Sequence, residues 1–268
     1  MQNTELNIDA LHHEDLDNPL HPSIFDRNEG YDILIIRLPI LKKLHEIDMV
    51  SFGFVISEST SYFYHKTSRT LEILPKRFES IYEMLDKKID DILKFFRDYQ
   101  DEILLIEEKL YAQNLDKEFM SRWLRHKKDI VRIERVMQLT ADELKDFIEV
   151  YEHHNDFPVN HYYDLLEHCE RIHRSASLQL TKLDYIYNFY TTRTAEKMNR
   201  IIFLLTIISG VFLPLNLFVG YFGMNTSGLP FTAAGNGTMK VSIMMAFIMM
   251  VSIFLVVLWR KRMEKNEL

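Results

Sequence analysis

The chain has 268 residues, of which 47% are apolar and 26% are charged, and its formal net charge is −7. This length is enough for one large domain or two smaller ones. An acidic chain argues against nucleic acid as a partner, because nucleic-acid binding needs a clustered basic surface. The single cysteine, Cys169, excludes a disulfide framework within the chain. The N-terminal 20 residues lack the basic and apolar regions of a secretory signal.

The charge is distributed unevenly along the chain. Residues 197–268 contain seven basic and two acidic residues, so they carry +5 and the first 196 residues carry −12. This asymmetry predicts an acidic region and a basic, apolar region in different environments.

The acidic region predicts an α+β head, residues 1–158, that contains a helical hairpin. Residues 31–74 are rich in β-branched and aromatic side chains, which favours several strands. Residues 75–113 and 116–152 show helical apolar spacing and are joined by a very short connection, which predicts an antiparallel pair of helices.

A long helix is predicted from Val159, directly after Pro158, to Gly220, and its first part, residues 159–200, is a stalk. Apolar residues recur along the stalk at steps of three and four, from Tyr162 through Cys169 to Tyr190. A helix of about 60 residues would be roughly 90 Å long. One small domain could not bury it, so we expect association with further copies of the chain.

Residues 201–268 predict two membrane-spanning helices and a basic tail. Residues 201–219 and 241–259 are each 19 residues without a charge, close to the roughly 20 that a helix needs to cross a bilayer. Basic residues precede the first run and follow the second, whereas the connection has only Lys240. The positive-inside rule therefore predicts a multi-pass protein of the cell (inner) membrane with both termini in the cytosol.

Polar side chains follow one face of the first predicted span. Helical steps of three, four and seven relate the members of this face. In a membrane helix such a face turns toward protein or water, although small residues also serve simple helix packing. The members are Asn199, Ile202, Ser209, Leu213, Asn216 and Gly220.

The segment from Asn199 to Asn225, NRIIFLLTIISGVFLPLNLFVGYFGMN, resembles the CorA family of divalent-cation (magnesium/cobalt) transport proteins. The match runs through Leu-Thr, Phe-x-Pro-Leu and Gly-x-x-Gly-Met-Asn without a gap. YYDLLEH, residues 162–168, and the segment from Glu14 to Pro39 resemble further family stretches. Phe222 stands where the family signature has tyrosine. The tail TSGLPF after the motif is more similar to the ZntB zinc-transporter branch.

The resemblance implies a homopentameric funnel whose first span lines the pore. Gly223, Met224 and Asn225 would form the selectivity filter. It implies that Asp164 helps to bind a regulatory Mg²⁺ between subunits, whose loss opens the assembly. The implied pore-lining positions are Asn199 at the inner end, Ile202 and Leu205 at a hydrophobic gate, and Ser209, Leu213 and Asn216 in the middle.

The resemblance implies Mg²⁺ as the cargo, with Co²⁺ and Ni²⁺ as further cargo, and a neutral pore suits an ion that keeps its water. A ring of Asn225 amide oxygens can bind a hydrated ion through its waters. Zinc transport stays as the alternative. Zn²⁺ prefers imidazole and thiolate, which are absent after His173, but His161, Asp164 and His168 share a stalk face near Cys169. That group is either a soft-metal sensor or ordinary stalk side chains.

Two other classes of protein explain this sequence less well than a transporter does. A membrane-tethered coiled-coil scaffold would explain the stalk and the spans, but not the Gly-Met-Asn motif. No phosphate-binding loop, metalloprotease pair or nucleophile motif indicates an enzyme.

Overall fold

The computed structural model describes residues 8–42, 46–112, 118–224, 229–230 and 235–266, with side chains as far as residue 258. The chain divides into two compact units, Met1–Asn188 and Phe189–Leu268. The elements, in chain order, are α1 (Ala10–Asp17), β1 (Ile24–Arg27), β2 (Asp32–Leu41), β3 (Ile47–Ile56), β4 (Ser61–His65), β5 (Thr70–Ile73), α2 (Glu79–Tyr111), α3 (Phe119–Tyr151), α4 (Val159–Phe222) and α5 (Gly237–Asn266).

The five strands form one antiparallel sheet in sequential order, β1-β2-β3-β4-β5. The central strands β2 and β3 pair over ten residues, with Arg37 opposite Ser51. Helix α1 covers one face of this sheet through Leu16, which is fully buried. A Cβ atom on Gly53 would lie 2.6 Å from Leu16 Cδ2, so the missing side chain lets α1 approach β3.

Helices α2 and α3 cover the other face of the sheet. Leu34 and Ile36 of β2 have no exposed surface, and both helices contact this strand. The Phe25 ring of β1 meets the Phe147 ring of α3 edge-on, with centroids 5.2 Å apart. The first unit is therefore a three-layer α/β/α arrangement that buries both faces of its sheet.

The predicted strands in residues 31–74 are confirmed, but the sequence reasoning missed α1 and β1. Helix α1 has the sequence ALHHEDLD and no apolar stripe, because Leu16 is its only buried residue. The Asp9 carboxylate caps the helix by accepting from the Leu11 amide at 2.8 Å. Strand β1 has only four residues, too few to show alternation.

Helices α2 and α3 form the predicted antiparallel pair, and α4 packs along both. Its buried residues lie on the predicted apolar seam, except Ile186, which is next to the predicted Tyr187; α2 and α3 of the same chain cover them. Trp123 Nε1 of α3 donates to the Leu183 carbonyl at 2.8 Å, and the Tyr162 hydroxyl donates to the Phe78 carbonyl at 2.9 Å. The seam down to Ile186 is thus filled from within and is no argument for a second copy. Its buried members are Tyr162, Leu165, Cys169, Ile172, Ala176, Leu183 and Ile186.

In the second unit, α4 and α5 each contain a stretch long and apolar enough to cross a membrane. In each helix, no residue of the most apolar 18-residue stretch is buried. An equally apolar helix of a water-soluble protein would be buried. Pro214 lies inside α4 without ending it, as membrane helices tolerate.

Candidate functional site

The face of α4 that the sequence singles out is exposed. At about 100° per residue, its six positions fall within an arc of roughly 120°. Leu205 is 62% exposed and Leu213 is 66% exposed, and Ser209 alone is half-buried. We call these six residues the polar stripe: Asn199, Ile202, Leu205, Ser209, Leu213 and Asn216.

The opposite face of α4 is half-buried, and so is one face of α5. On α4 the half-buried residues recur at steps of three and four, as they do on α5. Two helices that pack against each other show this pattern. The polar stripe therefore lies on the side of α4 left uncovered. The half-buried residues are Phe203, Ile207, Val211, Leu215 and Phe218 on α4, and Val241, Met244, Met245, Ile248, Ser252 and Val256 on α5.

Helix α4 ends where the Gly-Met-Asn motif begins. The Gly223 amide closes the last turn by donating to the Val219 carbonyl at 2.8 Å. A Cβ on Gly223 would lie 3.0 Å from that same oxygen, which is tighter than ordinary van der Waals contact. Met224 follows and is 50% exposed. Asn225, the third predicted filter residue, lies outside the described residues.

The sequence around the polar stripe contains no acidic side chain, no histidine and no cysteine. From Lys197 to Met263 there is no Asp, Glu, His or Cys. The polar atoms available along the stripe are therefore amide and hydroxyl groups, which can hydrogen-bond the waters of a hydrated ion.

A second group of metal-ligand side chains lies in the first unit, where α2 passes α4. One ligand atom from each of Asp86, Asp90 and His168 lies within 4.8 Å of the other two. We call these three residues the metal cluster. Asp86 and His168 are half-buried, and Asp90 is exposed. The His168 Nδ1 atom is buried and has no hydrogen-bond partner among the described residues.

Asp164 is next to this cluster. Its carboxylate is 3.8 Å from His168 Nε2. Burial raises the pKa of Asp86, and the negative charges of Asp90 and Asp164 raise it further, against the opposing effect of His168. Carboxylates that repel one another beside an imidazole are a donor set that a divalent cation would stabilise. The residues present therefore fit a bound metal ion.

The other residues of the predicted stalk group do not join the cluster. The His161 ring stacks on Tyr82, with centroids 4.8 Å apart, and its Nδ1 lies 3.6 Å from Glu79. Cys169 is fully buried, and burial raises the pKa of its thiol. A buried thiol is a poor metal ligand because the ligand is the thiolate.

The sequence reasoning named Asp164 and His168 but not Asp86 or Asp90. The two aspartates stand four apart on α2, a spacing that is common on solvated helices. Only the packing of α2 against α4, which brings Asp86 and Asp90 next to His168, distinguishes them from the other acidic residues of the chain.

An α/β/α unit, a long helix with an exposed apolar stretch, and a second apolar helix have the features of a membrane protein. The profile of the family described as CorA-like Mg²⁺ transporter protein matches residues 2–262, and the chain belongs to this family. Proteins of this family have transmembrane helices, and α4 and α5 are the helices among the described residues that are long and apolar enough to cross a membrane.

Three relatives show the range of this similarity. The chain is 20% identical over 224 residues to the cobalt/magnesium transport protein CorA of Thermotoga maritima, covering 75% of this chain and 62% of that one. The CorA magnesium transporter of Methanocaldococcus jannaschii shares the fold at a TM-score of 0.72 and 18% identity, over 92% of this chain and 82% of that one. The ZntB cytoplasmic domain of Vibrio parahaemolyticus matches at a TM-score of 0.54 and 14% identity, over 71% and 80%.

Proposed function

We propose that this chain is one subunit of a homopentameric channel that carries divalent cations, with Mg²⁺ as the principal cargo, and Co²⁺ and Ni²⁺ as further cargo. The observation that supports this most is the polar stripe, an exposed face of α4 that leads to Gly223 and Met224. Apolar side chains on the opposite face suit lipid or a neighbouring helix, whereas asparagine and serine favour a polar lumen. The description of the family and the name of the Thermotoga maritima relative favour the same cargo.

The stripe has the chemistry for moving an ion that keeps its water. Mg²⁺ gives up its hydration shell reluctantly. Rings of Asn199, Asn216 and Asn225 amides would bind those waters without the strong hold of a carboxylate. Ile202 and Leu205 would narrow the path between them as an apolar gate that closes by dewetting.

The proposed channel lies in the cell membrane with both termini in the cytosol. Arg193, Lys197 and Arg200 precede the first span, and three consecutive basic residues begin at Arg260. Basic residues at both cytosolic ends fit this orientation. Cation entry would then follow the membrane potential, which contributes about 2.3 kcal/mol per charge per 100 mV.

Regulation by the transported ion is proposed at Asp164 and the metal cluster. A divalent cation on Asp86, Asp90 and His168 would tie α2 to α4, and it would neutralise the carboxylates that raise the pKa of Asp86. When the cation leaves, the repulsion between these carboxylates returns. A cation site of this kind supports a channel that closes at high cytosolic Mg²⁺ and opens at low cytosolic Mg²⁺.

Zinc transport is the second candidate. The imidazole of His168 in the metal cluster favours it, because Zn²⁺ binds nitrogen ligands well. The similarity to the ZntB cytoplasmic domain concerns the fold of the first unit. The sequence argues against proton-coupled zinc transport, because Tyr221 is the only titratable side chain among residues 201–239.

The test is ion uptake into liposomes that contain the purified full-length protein. Mg²⁺ and Zn²⁺ are followed in parallel, with and without a proton gradient, for the wild type and Asn225→Ala, with Asn236→Ala as the matched control outside the motif. We expect Mg²⁺ uptake that needs no proton gradient, is lost in Asn225→Ala and is kept in Asn236→Ala. Uptake of Zn²⁺ alone, accelerated by the proton gradient, would assign the protein to zinc transport. No flux of either ion would favour the membrane-tethered coiled-coil scaffold instead of a transporter.

A further inference from the structure

A cavity of about 310 Å³ lies in the first unit, between α3, strands β2 and β3, and the segment that precedes β1. It forms before β1 begins at Ile24, where the edge of β2 beyond Ile35 is no longer paired with β1. There Ser23 Oγ accepts from the Arg37 amide at 2.9 Å, and Thr140 Oγ1 donates to the Arg37 carbonyl at 2.9 Å. The lining residues are Pro22, Ser23, Arg37, Met49, Arg132, Arg135, Val136 and Leu139.

Three arginines line this cavity, and none of the described residues that line it is acidic. We call it the arginine pocket. Arg37 Nη1 donates to the Leu20 carbonyl at 2.7 Å, and Arg132 Nη1 donates to the Ile47 carbonyl at 3.3 Å. Both contacts are to neutral oxygens. Among the described residues, these contacts use only a small part of the five-donor capacity of each guanidinium.

A carboxylate whose charge acts on two of these arginines is already paired. Asp48 interacts electrostatically with Arg37 and Arg132, but its side chain forms an ion pair with Lys42. The Arg37 Nε atom is buried and has no hydrogen-bond partner among the described residues. Burial lowers the pKa of Arg37, and repulsion by Arg132 lowers it further, against the opposing effect of Asp48.

Helix α3 extends the positive charge beyond the pocket. Arg125, Lys128, Arg132 and Arg135 follow one another at steps of three and four, which places them on one face. The Asp129 carboxylate within this stretch is buried and accepts from the Tyr99 hydroxyl at 3.0 Å. A basic face on a region that carries −12 would guide an anion to the pocket.

The remaining wall of the pocket is apolar and is formed by Met49, Val136 and Leu139. A cavity of this volume is at the lower end of the range for small-molecule sites, about 300–1,000 Å³. Guanidinium groups bind phosphate through paired hydrogen bonds. An inorganic anion would fill only the polar side and leave the apolar wall uncovered.

We propose that the arginine pocket binds a small organic phosphate, whose phosphate group contacts Arg37, Arg132 and Arg135 and whose organic portion lies on Met49, Val136 and Leu139. A mononucleotide has this chemistry and size. The site is separate from the polar stripe and the metal cluster, and the proposal does not depend on transport.

Isothermal titration of the purified full-length protein tests this in divalent-free buffer. The probes are AMP, inorganic phosphate and adenosine, and the variants are Arg132→Gln and Arg135→Gln, with Arg125→Gln as the control on the same basic face outside the pocket. We expect one AMP per subunit, phosphate at least about tenfold weaker, and no saturable binding of adenosine alone. Each pocket variant should weaken AMP binding by about tenfold or more, and Arg125→Gln by less than about threefold.

Several results would overturn the proposal. These are no saturable binding of AMP, equal affinities for AMP and phosphate, or AMP affinity unchanged in both pocket variants. Measurement of the oligomer mass in the same samples tests the alternative that an acidic segment of a second copy of the chain fills the pocket. A loss of oligomer in the pocket variants, with no AMP binding to the wild type, would assign the pocket to that contact and also overturn the proposal.

Discussion

Asp86 of α2 and His168 of α4 each place a potential metal-ligand atom within 4.8 Å of the other and of Asp90. Helices α2 and α4 are held side by side at several further points, such as the ion pair between Glu107 and Lys182 at 2.5 Å. A cation in the metal cluster would therefore add a link to an existing helix pair. Binding of a ligand to the folded state alone stabilises that state.

We predict that divalent cations raise the melting temperature of the wild type and that Asp86→Asn or His168→Gln removes most of this gain. At one hundred times its Kd, a bound cation contributes about 2.7 kcal/mol, which corresponds to roughly 5–10 °C for a chain of this size. Thermal unfolding of the full-length protein in detergent, with Mg²⁺ and Zn²⁺ titrated separately, measures the shift.

The control is Asp98→Asn, an exposed aspartate of α2 outside the metal cluster. It removes one charge from the same helix and should keep the full wild-type gain. An equal gain in wild type, Asp86→Asn and His168→Gln would show that the cation binds elsewhere.

The second prediction concerns pH and rests on His126. Its side chain is 5% exposed and lies 3.1 Å from the Glu102 carboxylate. Burial lowers the pKa of His126, and this effect outweighs the attraction of Glu102. The folded state therefore holds the imidazole neutral at pH values where the unfolded chain binds a proton. The contribution of the neutral His126 to the free energy of unfolding is fully present above the unfolded pKa of about 6.5. It is lost as the pH falls toward the lower pKa of the folded state.

We therefore predict that the melting temperature falls between pH 7.5 and 5.5 and that His126→Gln makes this fall shallower. His153→Gln is the matched control, because the His153 side chain is 90% exposed and should leave the slope unchanged. The prediction fails if the slopes of the wild type and His126→Gln agree within error.

The sequence predicted the parts of this fold that repeat a pattern over many residues. Pro158 marked the start of α4, which begins at Val159, and the uncharged runs marked the two apolar helices. Helix α1 was not predicted, because a helix of eight residues with one buried leucine shows almost no apolar periodicity. The stalk seam was recognised, but its partner was misjudged: the covering helices are α2 and α3 of the same chain.

The candidate site was predictable only where a contiguous motif or a single helix carries it. The polar stripe and Gly223 are of this kind, since all their members belong to one continuous stretch of sequence, residues 199–223. The metal cluster is not, because Asp86 and His168 meet only when two helices pack. The arginine pocket has the same origin, since Arg37 and Arg135 come from a strand and a helix that are far apart in sequence.

A third prediction concerns the end of α4. In Gly223→Ala the new methyl group would come within 3.0 Å of the Val219 carbonyl oxygen, so the last turn must shift. Gly210→Ala is the control, because a Cβ there meets nothing within 4 Å. We expect Gly223→Ala to reduce Mg²⁺ uptake into liposomes by about tenfold, as a shift of 1.4 kcal/mol in the barrier would. Gly210→Ala should stay near wild type, and equal uptake in all three proteins would contradict the role of Gly223.

The central claim is that the polar stripe of α4 lines an ion path, and blocking by a thiol reagent tests it directly. Cys169 is fully buried, so the wild type provides an unreactive background. Ser209→Cys and Leu213→Cys place a thiol on the stripe, and Ile207→Cys and Val211→Cys place one on the half-buried face. Each variant is treated with a positively charged methanethiosulfonate before Mg²⁺ uptake into liposomes is measured. The account predicts that the reagent blocks uptake through the two stripe variants and spares the other two. Block confined to Ile207→Cys and Val211→Cys, or uptake unaffected in all four variants, would contradict it.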